Sequence, residues 1–346
     1  MPIEKFSDRK ANLRRRTVPW TVPALLIFTG TGSEFLQAAN LVSEPVGCLR
    51  VVIPPPAAGE TVRKVLGVPF NRASVFRGIV TSVSGATLKA GTPAWKAGQF
   101  VAEPHYLKFR SGPNAGRYFN ITANTTDTLT LSAEGVSFTE KQVFEIFPAQ
   151  TLGSLFGATS VPLRTGTSEA TADFVRVHNG AGWDTYFHTG TQWQLSGGTS
   201  SQNGLVLRPE QGVIVVAGGT AAVNLTLLGS VSVSPDVSPV PGTGAALVSS
   251  RTPLATTLSA LNMRSLPGWA TGATASVADN LMRWNGSSWS VYYHTGARWQ
   301  LAGSHASQDS ATVPAGEALL IRRRDASTAK AALLNTAAPC AYTLSE

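Results

Sequence analysis

The residues of this chain best suited to chemistry come in matched pairs. Asp173, His188 and the aromatic set Trp183, Tyr186 and Trp193 recur 106 positions later as Asp279, His294, Trp289, Tyr292 and Trp299. A zinc ion needs three or four protein ligands. Asp173 with His188 gives two, and the second copy gives two again, so the imidazoles read as hydrogen-bonded to backbone where a strand meets a turn. The symmetric aspartates likewise read as structural in each copy. The aromatic residues are the better candidates for binding. Trp183, Tyr186, Trp193, Trp289, Tyr292 and Trp299 could form two platforms on which sugar rings stack, because indole and phenol offer a broad apolar face with a polar tip. The competing use of the same rings is core packing. Alternation along a strand sets Trp183 and Tyr186 on opposite faces, so at most part of each set reaches solvent.

Other chemistries lack a part. There is no Gly-x-Ser-x-Gly elbow and no phosphate-binding loop, and Gly242-Thr243-Gly244 sits in a Pro-rich stretch as a flexible turn. Carboxylates for glycan hydrolysis pair in space rather than in sequence, so a glycan-acting hydrolase stays open as an alternative. Only 14% of residues are charged, however, which leaves few side chains for catalysis. The expectation is a protein without enzymatic activity or cofactor. Without residues 1–39 the net charge falls from +8 to +5, and the basic residues left are scattered, apart from Arg322-Arg323-Arg324 running into Asp325, without the stripe that a nucleic acid requires. Cys48 and Cys340 have no metal-ligand spacing. In an oxidising compartment they could form one bridge, and otherwise they are two separate buried thiols.

Positioning these residues falls to short β-prone runs broken by Gly, Asn, Asp and Pro, with no long helical period. Phe76 to Val83 and Ala86 to Lys89 flank Ser84-Gly85 as a hairpin. Tyr118 to Thr122 and Asp127 to Leu131 form another, and Val143 to Phe147 one more strand. Between 172–202 and 278–308 the ungapped comparison gives 15 identities in 31 positions. Each copy reads as a strand ending at Asn-Gly, a return strand carrying Trp and Tyr, a second Trp, and a last apolar strand, Val213 to Ala217 or Ala318 to Ile321. The expected fold is all-β. It comprises an N-terminal antiparallel unit (40–150), two aromatic-rich sandwich-like copies (151–231 and 257–346), and a Pro-rich linker (232–256) between the copies.

Residues 1–39 differ from the rest. Lys5, Arg9, Lys10 and Arg14-Arg15-Arg16 precede the apolar stretch Val18 to Phe28, and Gln37-Ala38-Ala39 follows. Basic, then apolar, then small is the layout of an export signal. No run of about 18 apolar residues is present to form a membrane-spanning helix. Four further pieces come in a fixed order: Glu44-Pro45-Val46-Gly47, Val68-Pro69-Phe70-Asn71-Arg72, Val75-Phe76-Arg77-Gly78 and Gly112-Pro113-Asn114-Ala115-Gly116-Arg117. Together with the two aromatic repeats they resemble an uncharacterised family of exported β-rich proteins from Verrucomicrobia, over roughly 41–330. The resemblance implies export from a bacterium and carries no activity, cofactor or catalytic residue.

The expectation is therefore an exported structural or adhesive protein, periplasmic, at the cell surface or extracellular. Its partners would be extracellular polysaccharide or other surface proteins. Carbohydrate binding through the repeat Trp and Tyr side chains is the alternative.

Overall fold

The computed structural model describes residues 45–324, apart from 133–134, 181, 233–234 and 241–242, together with the backbone strand 332–336. The segment 1–39, read as an export signal, and Cys340 lie outside the described residues. The chain is almost entirely β, and none of its described helices is long and apolar enough to cross a membrane.

The first two strands, β1 (Val46–Ile53) and β2 (Val62–Leu66), are followed by six that close on themselves. These are β3 (Phe76–Ser84), β4 (Thr87–Ala90), β5 (His105–Phe109), β6 (Tyr118–Asn124), β7 (Thr128–Leu131) and β8 (Val143–Pro148), in barrel order β3-β4-β7-β6-β5-β8. The hairpins expected over 76–89 and 118–131 are β3–β4 and β6–β7. Period-two patterning turns Leu129 and Leu131 inward and leaves the intervening threonines half-buried. Inside, Val80, Leu88, Leu107, Phe109, Phe119, Ile121, Phe144 and Ile146 fill the barrel as a packed core.

After the barrel come β9 (Gln150–Thr151) and helix α1 (Leu152–Phe156), where Thr151 and Ser154 form a reciprocal capping box. Then follow β10 (Phe174–His178), β11 (Trp183–His188), β12 (Trp193–Leu195), β13 (Val206–Leu207), β14 (Val213–Ala217) and β15 (Val223–Ser230). One five-stranded sheet has the order β12-β11-β10-β14-β2, and β15 pairs with β1 as a separate ribbon. Thus β1 and β2, expected in the N-terminal unit 40–150, belong with the first aromatic copy. The barrel interrupts that copy between β2 and β9. Its two ends lie side by side, since Arg72 Nη1 donates to the Ala149 carbonyl at 3.5 Å.

The second copy has β16 (Asp236–Val240), β17 (Gly244–Ser249), β18 (Thr256–Thr257), β19 (Asn280–Trp284), β20 (Trp289–His294), β21 (Trp299–Leu301), β22 (Thr312–Val313), β23 (Ala318–Arg323) and β24 (Ala332–Thr336). Its sheet runs β21-β20-β19-β23-β17, with β16–β24 as the ribbon. That is the order of the first sheet, with β17 in the place of β2 and β16 in the place of β1. Within 232–256, Asp236–Val240 and Gly244–Ser249 are therefore strands of the second copy rather than linker. Its prolines suggest a linker, yet Pro239 sits exposed in a two-stranded ribbon, where a residue without an N–H is tolerated.

Each sheet buries one face under its own ribbon and loops. Val51, Ile53, Val223 and Leu225 of the first ribbon pack on Val175, Val177, Tyr186, Val213 and Val215. In the second copy Val240 packs with Val248, Leu281, Leu319 and Ile321. The other faces of the two sheets meet each other. Val65, Leu247 and Ala318 are buried there, with Ile214, Trp284, Trp289 and Leu320 against them. The approach is close at Gly212, where a Cβ would lie 2.5 Å from that of Ala318.

Candidate functional site

The matched polar residues are held by the fold. Asp173 Oδ2 accepts from the Arg164 N–H at 2.9 Å and Oδ1 from the Gly218 N–H at 2.8 Å. Asp279 repeats this with the N–H groups of Ala270 (2.9 Å) and Arg324 (2.8 Å). Both carboxylates are buried, and each ties the loop entering its sheet to the end of the last strand. His188 Nδ1 accepts from the Gly190 N–H at 3.0 Å, and His294 Nδ1 from the Gly296 N–H at 2.9 Å. With Nδ1 an acceptor, the proton of His188 sits on Nε2, which donates to the Ala158 carbonyl at 3.1 Å. Burial first, and then the Arg264 charge, hold the His294 imidazole below its usual range. Among the described residues no group of three His, Cys, Asp or Glu side chains could hold a metal ion.

The aromatic sets do not form two platforms. Trp193 and Trp299 are buried and stand edge-on to His188 and His294, with ring centroids 5.5 and 5.4 Å apart. Their backbone N–H groups donate to Asn203 Oδ1 and Asp309 Oδ1, each at 2.8 Å, and Trp193 Nε1 donates to the Gly157 carbonyl at 2.8 Å. Tyr186 is also inside, its hydroxyl donating to Asp184 Oδ2 at 3.3 Å. Burial, followed by the Asp184 charge, pushes that phenol up to about 12. Tyr292 is half-buried against the second core. These four rings are plugs of the two cores, because each points to the ribbon side of its sheet.

Trp183 and Trp289 differ. They follow the Asn-Gly turns and point to the other faces, where the two sheets meet. Trp183 is 40% exposed, and Trp289 is half-buried. Together with Arg176, His178, Ile214, Ala245, Leu247 and Leu320 they line one groove of about 250 Å³ at the seam. Trp183 packs edge-to-face on His178 at 5.1 Å, and the Arg176 guanidinium stacks 5.2 Å from the Phe174 ring. No carboxylate is among these lining residues. The groove offers two indole rings, an aliphatic floor and one guanidinium, which suits holding a ring-shaped polar ligand better than cleaving it.

A buried ionic cluster escaped sequence reading. Lys108 on β5 and Arg251 after β17 both contact Asp236 on β16, at 2.6 and 3.1 Å. Tyr118 on β6 donates its hydroxyl to Asp236 Oδ1 at 2.8 Å and accepts from Arg251 Nη2 at 2.8 Å and Asn71 Nδ2 at 2.9 Å. Arg251 Nη1 reaches the Val68 carbonyl at 2.7 Å. The cluster joins the barrel to both copies. No local pattern announces it, since its members come from five separate segments. Cys48 is exposed on β1.

Comparison with protein-family models, curated proteins and solved structures finds no match to this chain.

Proposed function

We propose that this protein is an exported, non-enzymatic adhesive protein that holds a carbohydrate in the groove where its two five-stranded sheets meet. One observation carries the reading. The matched aspartates, histidines and second tryptophans are spent on backbone hydrogen bonds and core packing, whereas Trp183 and Trp289 are brought from the two copies to a single partly open groove. Indole faces over an aliphatic floor suit the apolar face of a sugar ring, and His178 and Arg176 can serve its hydroxyls. Export is supported by the basic, apolar, small order of residues 1–39. The shared strand order and the matched residues support a duplicated module whose first copy carries the barrel as an insertion.

The test is binding to a glycan array by the full chain and by Trp183→Ala and Trp289→Ala. Binding by the parent, with at least tenfold loss in both variants, is the expected result. A parent that binds no glycan would overturn the reading and leave a purely structural role.

A further inference from the structure

We infer that the carbohydrate is acidic, and that its carboxylate or sulfate groups lie in a second, basic groove next to the first. The inference rests on the carbohydrate reading above and adds the ligand's charge and a second set of contacts.

The second groove, about 510 Å³, runs between β1–β2 and the second copy's 283–286 turn and 314–317 loop. Arg50, Arg63 and Lys64 line it and are exposed. Among the described residues none of these three faces a carboxylate within ion-pair distance, and the salt bridge in the groove's lining involves another cation, Arg283. Glu317, the one acid among the described lining residues, is already neutralised by Arg283 through paired contacts of 3.0 and 2.9 Å. Among the described residues the groove thus keeps three lining cations without a carboxylate partner, Arg50 from β1 and the adjacent Arg63 and Lys64 from β2. Gathering cations around one sheet edge costs self-repulsion, which an anionic ligand would relieve.

An aromatic ring joins the two grooves. Trp284 lines the basic groove and Trp289 the seam groove, and the rings meet edge-to-face at 5.5 Å. Trp284 is fixed by its Nε1, which donates to the Arg63 carbonyl at 3.1 Å, and the Arg63 guanidinium lies 5.8 Å from its ring. The seam groove is smaller than the roughly 300–1,000 Å³ that encloses a drug-sized ligand. It takes one sugar ring, and the rest of a chain must continue elsewhere. The basic groove across the Trp284–Trp289 pair gives it a path, with guanidiniums suited to bidentate contact with carboxylate or sulfate.

The test compares binding of a galacturonic acid hexamer, a sulfated galactose hexamer, a neutral galactose hexamer and a single-stranded DNA of equal charge. The proteins are the full chain, Trp183→Ala, and the triple variant Arg50→Gln, Arg63→Gln, Lys64→Gln. The three changed side chains are exposed, and an unchanged melting temperature would show that the fold is kept. The parent should bind one acidic hexamer at least tenfold tighter than the neutral one and than the DNA. Which acid is preferred tells carboxylate from sulfate. The triple variant should lose that preference and keep neutral binding, while Trp183→Ala should weaken all the sugars. Equal binding of acidic and neutral hexamers, or a preference that survives in the triple variant, overturns the acidic-ligand inference and leaves carbohydrate binding standing. DNA binding as tight as the acidic hexamers overturns it in favour of a general polyanion site. Absence of binding to every sugar overturns the reading beneath it.

Discussion

Lys108 Nζ lies 2.6 Å from the Asp236 carboxylate, and both side chains are buried. The pair links the barrel wall to the first strand of the second copy. Arg251, 3.1 Å from the other oxygen of Asp236, adds a second cation, and the Tyr118 hydroxyl closes the cluster. Among the described residues one carboxylate thus contacts both cations in a buried site, so the partners are not equivalent. Removing the anion strands both cations, whereas removing Lys108 leaves a neutral pair.

Asp236→Asn should therefore destabilise the protein by about 3–5 kcal/mol, the usual cost of an uncompensated buried charge. Lys108→Met should cost clearly less. Urea unfolding followed by tryptophan fluorescence measures both, and equal costs would show that Arg251 does not compensate Asp236.

The same carboxylate contributes to the acid limb of stability. Burial alone would raise its pKa, but Arg251 and then Lys108 outweigh burial and hold it below the ordinary value of 3.8. A carboxyl with a depressed folded-state pKa contributes fully above its unfolded value, and that contribution is lost as pH falls through the folded one. Melting temperature should thus fall below about pH 4, with the drop continuing through the depressed folded-state pKa. In Asp236→Asn this part of the fall should be absent.

Trp193 and Trp183 should separate folding from binding. Trp193→Ala empties a core site and breaks the bond to Gly157, so a loss of about 3–5 kcal/mol is expected. Trp183→Ala removes a partly exposed ring and should cost about 1 kcal/mol or less, with the loss appearing in glycan binding. Paired thermal melts and binding curves check the split.

What the sequence showed depended on how local each signal was. The hairpins and the Asn-Gly turns are encoded within a few neighbouring residues, the duplication shows as a 31-position match at an offset of 106, and the expected hairpins and terminal strands are present in the fold. The homes of β1 and β2 were hidden because pairing β1 with β15 and β2 with β14 is a long-range choice, which alternation alone does not reveal. The barrel separates β2 from the rest of its sheet, and the composition of 232–256 imitates a linker. Six aromatic residues stood out in the sequence as candidate platforms, but which face each occupies depended on sheet partners. Trp183 and Trp289 came to one groove, while Trp193 and Trp299 went to two cores.

His294 should titrate below the ordinary 6.5 of a histidine, because burial and the Arg264 charge disfavour its cation and its Nδ1 must stay unprotonated to accept from Gly296. The unfolded chain then takes up the proton at a higher pH than the folded one. Stability supplied by this site is complete above 6.5 and declines as pH drops towards the folded value. The imidazole Cε1 proton shift, followed by NMR and assigned through His294→Gln, reports the titration. A midpoint at or above 6.5 would refute the prediction.

The barrel should be removable. The chain enters and leaves it at Arg72 and Ala149, which touch, so residues 74–147 can be replaced by a short Gly-Ser link without stretching β2 or β9 from their sheets. Excision takes away Lys108 and Tyr118 but leaves Asp236 paired with Arg251, and Arg251 with Asn71 and the Val68 carbonyl, so the contact between the buried anion and a cation is kept. The two sheets keep their ribbons and their seam. The shortened chain should unfold cooperatively, at a lower midpoint than the full protein, and retain the buried tryptophan emission of Trp193 and Trp299. Emission shifted to that of solvated indole without denaturant would show instead that the barrel is needed to hold the two copies in shape.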